Sequence, residues 1–203
     1  MKDFLLLSSV NAITYKEFFP LLKDNNVRLG YTPISGGMDM YAGPNFDPEK
    51  KKVKYDENGN MIVNIEGIVW YTTLPTPDKR KLVLSKKYHH ELYPHYDNYR
   101  AIEVSRVKDI PYDYECFMAV PITIFQYDLD NILVKNDQQP ERPLRKKIAI
   151  RGIWKDNREE ADFIVKGTPT YVDGKHKTIQ GPVVNGKEKY ARVVISLIRR
   201  KRP

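Results

Sequence analysis

The chain has 203 residues, 41% hydrophobic and 11% aromatic, a composition that buries a core and excludes a disordered chain. Lys and Arg number 34 against 26 Asp and Glu, so the formal net charge is +8, which favours a polyanionic partner, chiefly nucleic acid, without proving one. Cys116 is the only cysteine, which excludes an intramolecular disulfide. No apolar run reaches membrane-spanning length, and the first apolar stretch is too short for a signal peptide and lacks a cleavage pattern. The expectation is a cytoplasmic protein with no membrane partner.

Residues 4–7 form an apolar run that reads as a strand buried on both faces of a parallel sheet. Asn11 follows at its carboxyl end, where open α/β sheets hold their ligands. Thr14 and Glu17 have capping-box spacing, and Phe18, Leu21 and Leu22 give a helical stripe that Pro20 should kink or shorten. Residues 24–26 (Asp-Asn-Asn) end it. The segment 31–52 is rich in glycine and proline and reads as a long loop. Gly36-Gly37 within it lacks the strand, helix and spacing of a phosphate-binding loop. Asn58-Gly59 predicts a hairpin between 53–55 and 61–65, and 68–74 predicts a further strand carrying Trp70 and Tyr71. Residues 78–87 read as a basic strand or short helix, equally consistent with a solvated edge or a DNA contact.

His89, His90 and His95 do not have the spacing of a metal site. Within 96–123, Val104, Val107 and Ile110 alternate with polar residues, Pro111 interrupts, and 116–124 is almost continuously apolar. The plain reading is two strands joined by a proline turn, with tyrosines filling a core. Residues 131–147 are polar and read as a loop or linker, and 146–154 return to a strand pattern. Asp173-Gly174 and Asn185-Gly186 mark hairpins, giving a small antiparallel sheet with 163–165 and 193–198. The basic tail 199–202 is either solvated or set against a phosphate backbone.

Four stretches carry a resemblance. They are Asn11-Ala12-Ile13-Thr14-Tyr15-Lys16-Glu17; Trp70-Tyr71-Thr72-Thr73-Leu74; the run from Tyr96-Asp97-Asn98-Tyr99 through Ala101-Ile102-Glu103-Val104 to Val120-Pro121-Ile122-Thr123; and Asn185-Gly186-Lys187 with Tyr190-Ala191-Arg192. In this order they resemble the EcoRI-type adenine-specific DNA methyltransferases. That resemblance implies methyl transfer from S-adenosylmethionine to the exocyclic amine of adenine in double-stranded DNA, with the base flipped into a pocket. It further implies an Asn/Asp-Pro-Pro-Phe/Tyr catalytic loop and a glycine-rich cofactor turn, both upstream of the first stretch. This sequence has neither motif: it contains no Pro-Pro dipeptide, and no glycine turn follows an early apolar strand.

The chain therefore looks like the carboxyl-terminal part of such an enzyme. Its expected class is α/β, the remnant of a doubly wound methyltransferase sheet (1–87) followed by a mostly antiparallel β target-recognition region (88–203). By resemblance Trp70, Tyr71 and Asn11 edge the base pocket. Arg106, Lys108, Tyr96, Asn98, Lys86 and Lys87 are candidates for DNA contact, arginine suiting bidentate readout of guanine and lysine suiting phosphate. An upstream catalytic half, as a separate chain, would then supply cofactor binding and catalysis. Two further readings stay open: a stand-alone basic DNA-binding module, and a protein-interaction subunit.

Overall fold

Short strands and turns, with little helix, carry the chain in the computed structural model, which describes residues 3–15, 17–30, 32–49, 52–76, 79–136, 139–154, 170–172, 175–177 and 181–200. Strand β1 (Leu5–Ser9) runs into a single 3-10 turn over Val10–Thr14, and a five-residue helix, α1 (Phe19–Lys23), precedes β2 (Arg28–Leu29). The capping box is not formed. The Ser9 side chain caps the 3-10 turn by accepting from the Asn11 amide at 3.2 Å, and the Thr14 hydroxyl donates back to the Asn11 carbonyl at 2.7 Å. Pro20 sits in the first turn of α1, where its missing N–H is harmless, so it marks the start of a short helix and does not break a longer one.

β3 (Met38–Tyr41), β4 (Val53–Tyr55) and β5 (Met61–Ile65) form a small antiparallel sheet in the order β3-β5-β4. The segment expected to be a loop thus supplies a strand, because the Asn64 amide draws β3 in by donating to Asp39 Oδ1 at 2.8 Å and to the Gly36 carbonyl at 3.1 Å. The hairpin at Asn58-Gly59 is present. Its loop is longer than two residues and is organised by Asp56, whose Oδ1 accepts the amides of Asn58 and Asn60 at 2.9 and 2.7 Å.

β6 (Ile68–Thr72) pairs antiparallel with both β1 and β2, so the first sheet reads β1-β6-β2. This corrects the expectation of parallel neighbours around 4–7. It also corrects the expected burial: Leu5 and Leu6 are 61% and 48% exposed, because β1 is an edge strand.

In the second half, β7 (Val83–Leu84) pairs in parallel with β10 (Leu133–Asn136), which pairs antiparallel with β11 (Gln139–Pro143). Strands therefore occupy the stretch expected to be a linker, and buried Leu82 and Leu84 hold the basic segment against the core instead of leaving it a free edge. β8 (Ile102–Glu103) and β9 (Met118–Pro121) run parallel. The residues between them form a 3-10 turn at Val107–Asp109 in place of a longer strand. β12 (Lys146–Trp154) matches its expected span. β13 (Thr170–Val172) and β14 (Lys175–Lys177) pair across 173–174, which like 163–165 and 201–203 lie outside the described residues. β15 (Val183–Val184) and β16 (Lys187–Glu188) close on Asn185 and Gly186, whose φ values of 51° and 71° are those of a type I′ turn. β17 (Arg192–Arg199) completes a sheet in the order β12-β17-β9-β8.

One continuous apolar core joins the two halves. Ile13, Phe19 and Tyr71 from the first sheet region meet Leu84, Ile110 and Ile124, together with Val193 and Ile195 of β17. The core draws on short strands, the helix, 3-10 turns and loops, none of which would be stable alone, so burial between elements supplies the stability that local pairing lacks.

Two expectations follow. Gly186→Ala meets open space and incurs only the positive-φ penalty of about 1 kcal/mol. Gly37→Ala combines a φ of 69° with a Cβ only 2.2 Å from Asn64 Oδ1. Its cost should reach about 2–3 kcal/mol, and equal shifts in urea midpoint for the two variants would contradict this. The Asn60 side chain and amide hold the Asp56 carboxyl below its ordinary value. Its stabilisation is thus present above about pH 3.9 and lost as pH falls through the lower folded value. The unfolding midpoint of Asp56→Asn, compared with the parent across that range, should show the weaker acid dependence.

Candidate nucleic-acid interface

Glu103 is 3% exposed, and burying its carboxylate requires partners. Arg192 supplies two of them across 89 residues of sequence: Nη2 donates to Oε1 at 2.8 Å and Nε donates to Oε2 at 3.2 Å. The Tyr96 hydroxyl donates to the same Oε2, and its ring packs on Trp154 with centroids 4.8 Å apart. Beside this network Asp97 accepts the Asn185 and Gly186 amides at 3.1 and 2.7 Å, fastening the type I′ turn. Asn98, 2% exposed, donates to the Gly181 carbonyl at 2.8 Å and accepts from the Val183 amide at 3.2 Å. Residues 96–98 and 103 thus hold the whole segment 181–192 in place.

That segment forms one wall of a cleft of about 790 Å³. The opposite wall is the Val10–Thr14 turn with Asn11 and Thr14, and Pro121 at the end of β9 and Ile122 just after it complete the lining. Tyr190, 90% exposed, and Lys189 stand on the fastened wall, and Asn11 is exposed opposite them. An aromatic face, an amide and a cation around a cleft of mixed polar and apolar lining can stack a planar group, pair with its edge and neutralise a phosphate.

The expected site residues separate. Asn11 lies in the cleft. Trp70 and Tyr71, as neighbours in β6, point to opposite faces of the sheet and cannot line one pocket together. The Tyr71 ring is fully buried, edge-on to Phe18 at 4.7 Å, its hydroxyl donates to the Ser9 carbonyl at 3.0 Å, and burial pushes its pKa up. Trp70 is half-buried. Tyr96 and Asn98 are also buried, with their polar atoms committed as described, so in this conformation neither can reach a duplex; they place other residues. Arg106, Lys108, Lys86 and Lys87 are all exposed. Their segments adjoin, since the Tyr112 amide donates to the Lys86 carbonyl at 3.0 Å and the Tyr88 amide to Asp113 at 2.8 Å. Arg106 is partly offset by Asp109, 2.7 Å from its Nε.

Glu103, Arg192 and Tyr190 were not among the expected residues. The available signal was an acid inside the apolar Ala-Ile-Glu-Val run, which demands a cation from elsewhere. No group of three or more metal-ligating side chains occurs among the described residues. S-adenosylmethionine does not fit the residues present. β1 passes directly into a 3-10 turn without glycine, and Gly36-Gly37 lie in a loop closed onto Asn64. No helix among the described residues is long and apolar enough to cross a membrane.

The scaffold and site define a β-rich protein with an aromatic-edged cleft and a separate cationic surface. Residues 1–201 match the family described as adenine-specific methyltransferase EcoRI, and the chain belongs to that family. It is 40% identical over 125 residues to the type II methyltransferase M.EcoRI of Escherichia coli, covering 60% of this chain and 38% of that protein. It is 28% identical over 207 residues to M.MpnI of Mycoplasma pneumoniae, covering 96% and 56%. M.MgeORF184P of Mycoplasma genitalium is 31% identical over 127 residues, covering 60% and 40%. The chain therefore spans only about half, or less, of these relatives. No solved structure matches.

Removing one partner of the buried pair should be costly: Glu103→Gln or Arg192→Met is expected to lose about 3–5 kcal/mol. Arg106→Ala, at an exposed pair, should lose under about 1 kcal/mol. Urea unfolding of the three variants checks the ranking.

Proposed function

We propose that this chain is the DNA-recognition part of an adenine-N6 DNA methyltransferase of a restriction-modification system, working in the cytoplasm. S-adenosylmethionine and the catalytic loop come from the portion that the longer relatives contain. In this reading residues 88–203 recognise DNA and 1–87 adjoin the catalytic region as the end of its α/β sheet. The observation that carries it is the convergence of three family stretches, at Asn11, Pro121 and Tyr190, on one cleft. Family likeness concentrated around an open, aromatic-edged cleft on a protein of net charge +8 is what a DNA-facing surface requires.

Double-stranded DNA is then held in two ways. Lys86, Lys87, Arg106 and Lys108 neutralise phosphates, a contact that releases counterions and fixes register without reading sequence. The cleft, with Asn11 opposite Tyr190, offers the groups that discriminate. Trp70, half-buried on the first sheet, adjoins the catalytic portion and is the remaining candidate for the edge of the base pocket. Without the cofactor-binding portion the chain does not transfer methyl groups.

Binding to a labelled duplex, followed by anisotropy over a salt series, tests this. Each of Lys86→Ala, Arg106→Ala and Lys108→Ala should reduce the log–log salt slope by about 1 while leaving sequence preference unchanged. Methyl transfer from labelled cofactor should be absent with this chain alone and appear with the remaining portion. Transfer by the chain alone would overturn the division of labour, and absence of salt-dependent binding would overturn the DNA-recognition role.

A further inference from the structure

A second cavity, of about 450 Å³, lies at the other end of the first sheet from the cleft, and the two share no lining residue. Asn11 follows the carboxyl end of β1, whereas Leu5 begins that strand, roughly 15 Å away along it. Leu29 and Phe125 are buried in the cavity wall, and Leu5 and Leu74 stand exposed at its edge. Lys79 and Arg80 line the same space. Their backbone is pinned beside Phe125, since the Arg80 amide donates to the Gln126 carbonyl at 3.0 Å and the Asp128 amide to the Arg80 carbonyl at 2.9 Å. Burial, with Arg28 nearby, holds the Lys79 ammonium below its ordinary pKa, and Asp128 and Asp130 offset this only in part. The Lys79 Nζ makes one long hydrogen bond, to Asn25 Oδ1 at 3.4 Å. Among the described residues neither Lys79, Arg80 nor Arg28 has an ion pair. Thr76 also lines the cavity, and its hydroxyl is buried without a hydrogen-bond partner, which folded chains seldom leave unanswered.

An apolar hollow of this size with a few converging polar groups has the form of a small-ligand site. We propose that it binds a small apolar carboxylate, with the hydrocarbon body against Leu29, Leu74 and Phe125 and the carboxylate at Lys79 and the Thr76 hydroxyl. Charge selects the anion: a carboxylate supplies the counter-charge that Lys79 lacks, and it accepts the proton that Thr76 has nowhere to donate. The leucines and Phe125 select the body. A nucleotide fits less well, because a purine edge needs several free polar groups and those of the lining are spent. The Thr72 hydroxyl donates to the Phe4 carbonyl at 2.7 Å and accepts from the Leu74 amide at 3.0 Å. Gln126 Nε2 donates to the Thr32 carbonyl at 3.2 Å. The site includes none of the residues assigned to DNA, so the inference does not rest on the DNA-recognition reading.

Calorimetric titration with sodium octanoate tests this, with n-octanol, inorganic phosphate and adenosine monophosphate as comparison probes. Octanoate should bind saturably, and each comparison probe should bind at least about tenfold more weakly. Lys79→Met should weaken octanoate about tenfold. Thr76→Val should weaken it about threefold while the urea midpoint stays at or above that of the parent, because the hydroxyl has no partner to lose. Lys54→Met, at an exposed pair on the β3-β5-β4 sheet, removes the same charge elsewhere and should bind octanoate as the parent does. On binding, the NMR methyl signals of Leu29 and Leu74 should shift and that of Val63 should not. Absence of saturable binding, equal binding of any comparison probe, or equal affinity of Lys79→Met and Lys54→Met would each overturn the proposal.

Discussion

A carboxylate without water must be answered by charge or by hydrogen bonds, and Glu103 sets this condition for the second half of the molecule. Its two oxygens are met by Arg192 from the start of β17 and by the Tyr96 hydroxyl. An ion pair of this kind adds modest net stability, because desolvation offsets the attraction, but it tolerates very few alternative arrangements. The register of β17 between β12 and β9, the packing of Tyr96 on Trp154 and the course of residues 188–192 all depend on that one match. Asp97 and Asn98 reinforce it by bonding backbone amides and a carbonyl of 181–186. What lies exposed beyond this anchor, Tyr190 above all, is held on a wall that cannot slide.

This arrangement changes the meaning of the family likeness. The stretch around Tyr96-Asp97-Asn98 and the stretch around Asn185-Gly186 with Arg192 are far apart in sequence, yet in the structure they are two sides of one fastening. Residues typical of the family therefore serve placement as much as contact. A polar residue in a recognisable motif is as readily a buried acceptor as a reader of DNA, and burial decides between the two.

Local chemistry was legible and partnership was not. The turns at Asn58-Gly59 and Asn185-Gly186, the strands β6 and β12 and the aromatic Trp70-Tyr71 followed from residue type and spacing, because φ preferences and period-two alternation act over a few residues. The pairing of β1 was misread, since three leucines in a row announce a strand with two apolar faces and do not say whether its neighbour runs parallel. Polar 131–147 and glycine-rich 31–52 concealed strands whose pairing depends on distant partners, as β10 depends on β7 and β3 on Asn64. At the candidate site Asn11, expected at the edge of a base pocket, lines the cleft. Tyr96 and Asn98 were assigned to the surface because their partners, Glu103 aside, lie more than 50 residues away. Nothing near Arg192 in sequence shows that its charge is spent on Glu103.

The position of β17 has a consequence for how the protein comes into being. It lies inside its sheet, between β12 and β9, and it is the last described strand in chain order. Translation delivers residues in sequence, so β8, β9 and β12 emerge with the gap between them unfilled and Glu103 without its arginine. The sheet can close only after residue 199 has cleared the ribosome. Closure of this half thus waits for β17, with the non-local pairings that make folding slow. A nascent chain stalled before β17 would present two apolar strands, β9 and β12, each waiting for the same absent neighbour.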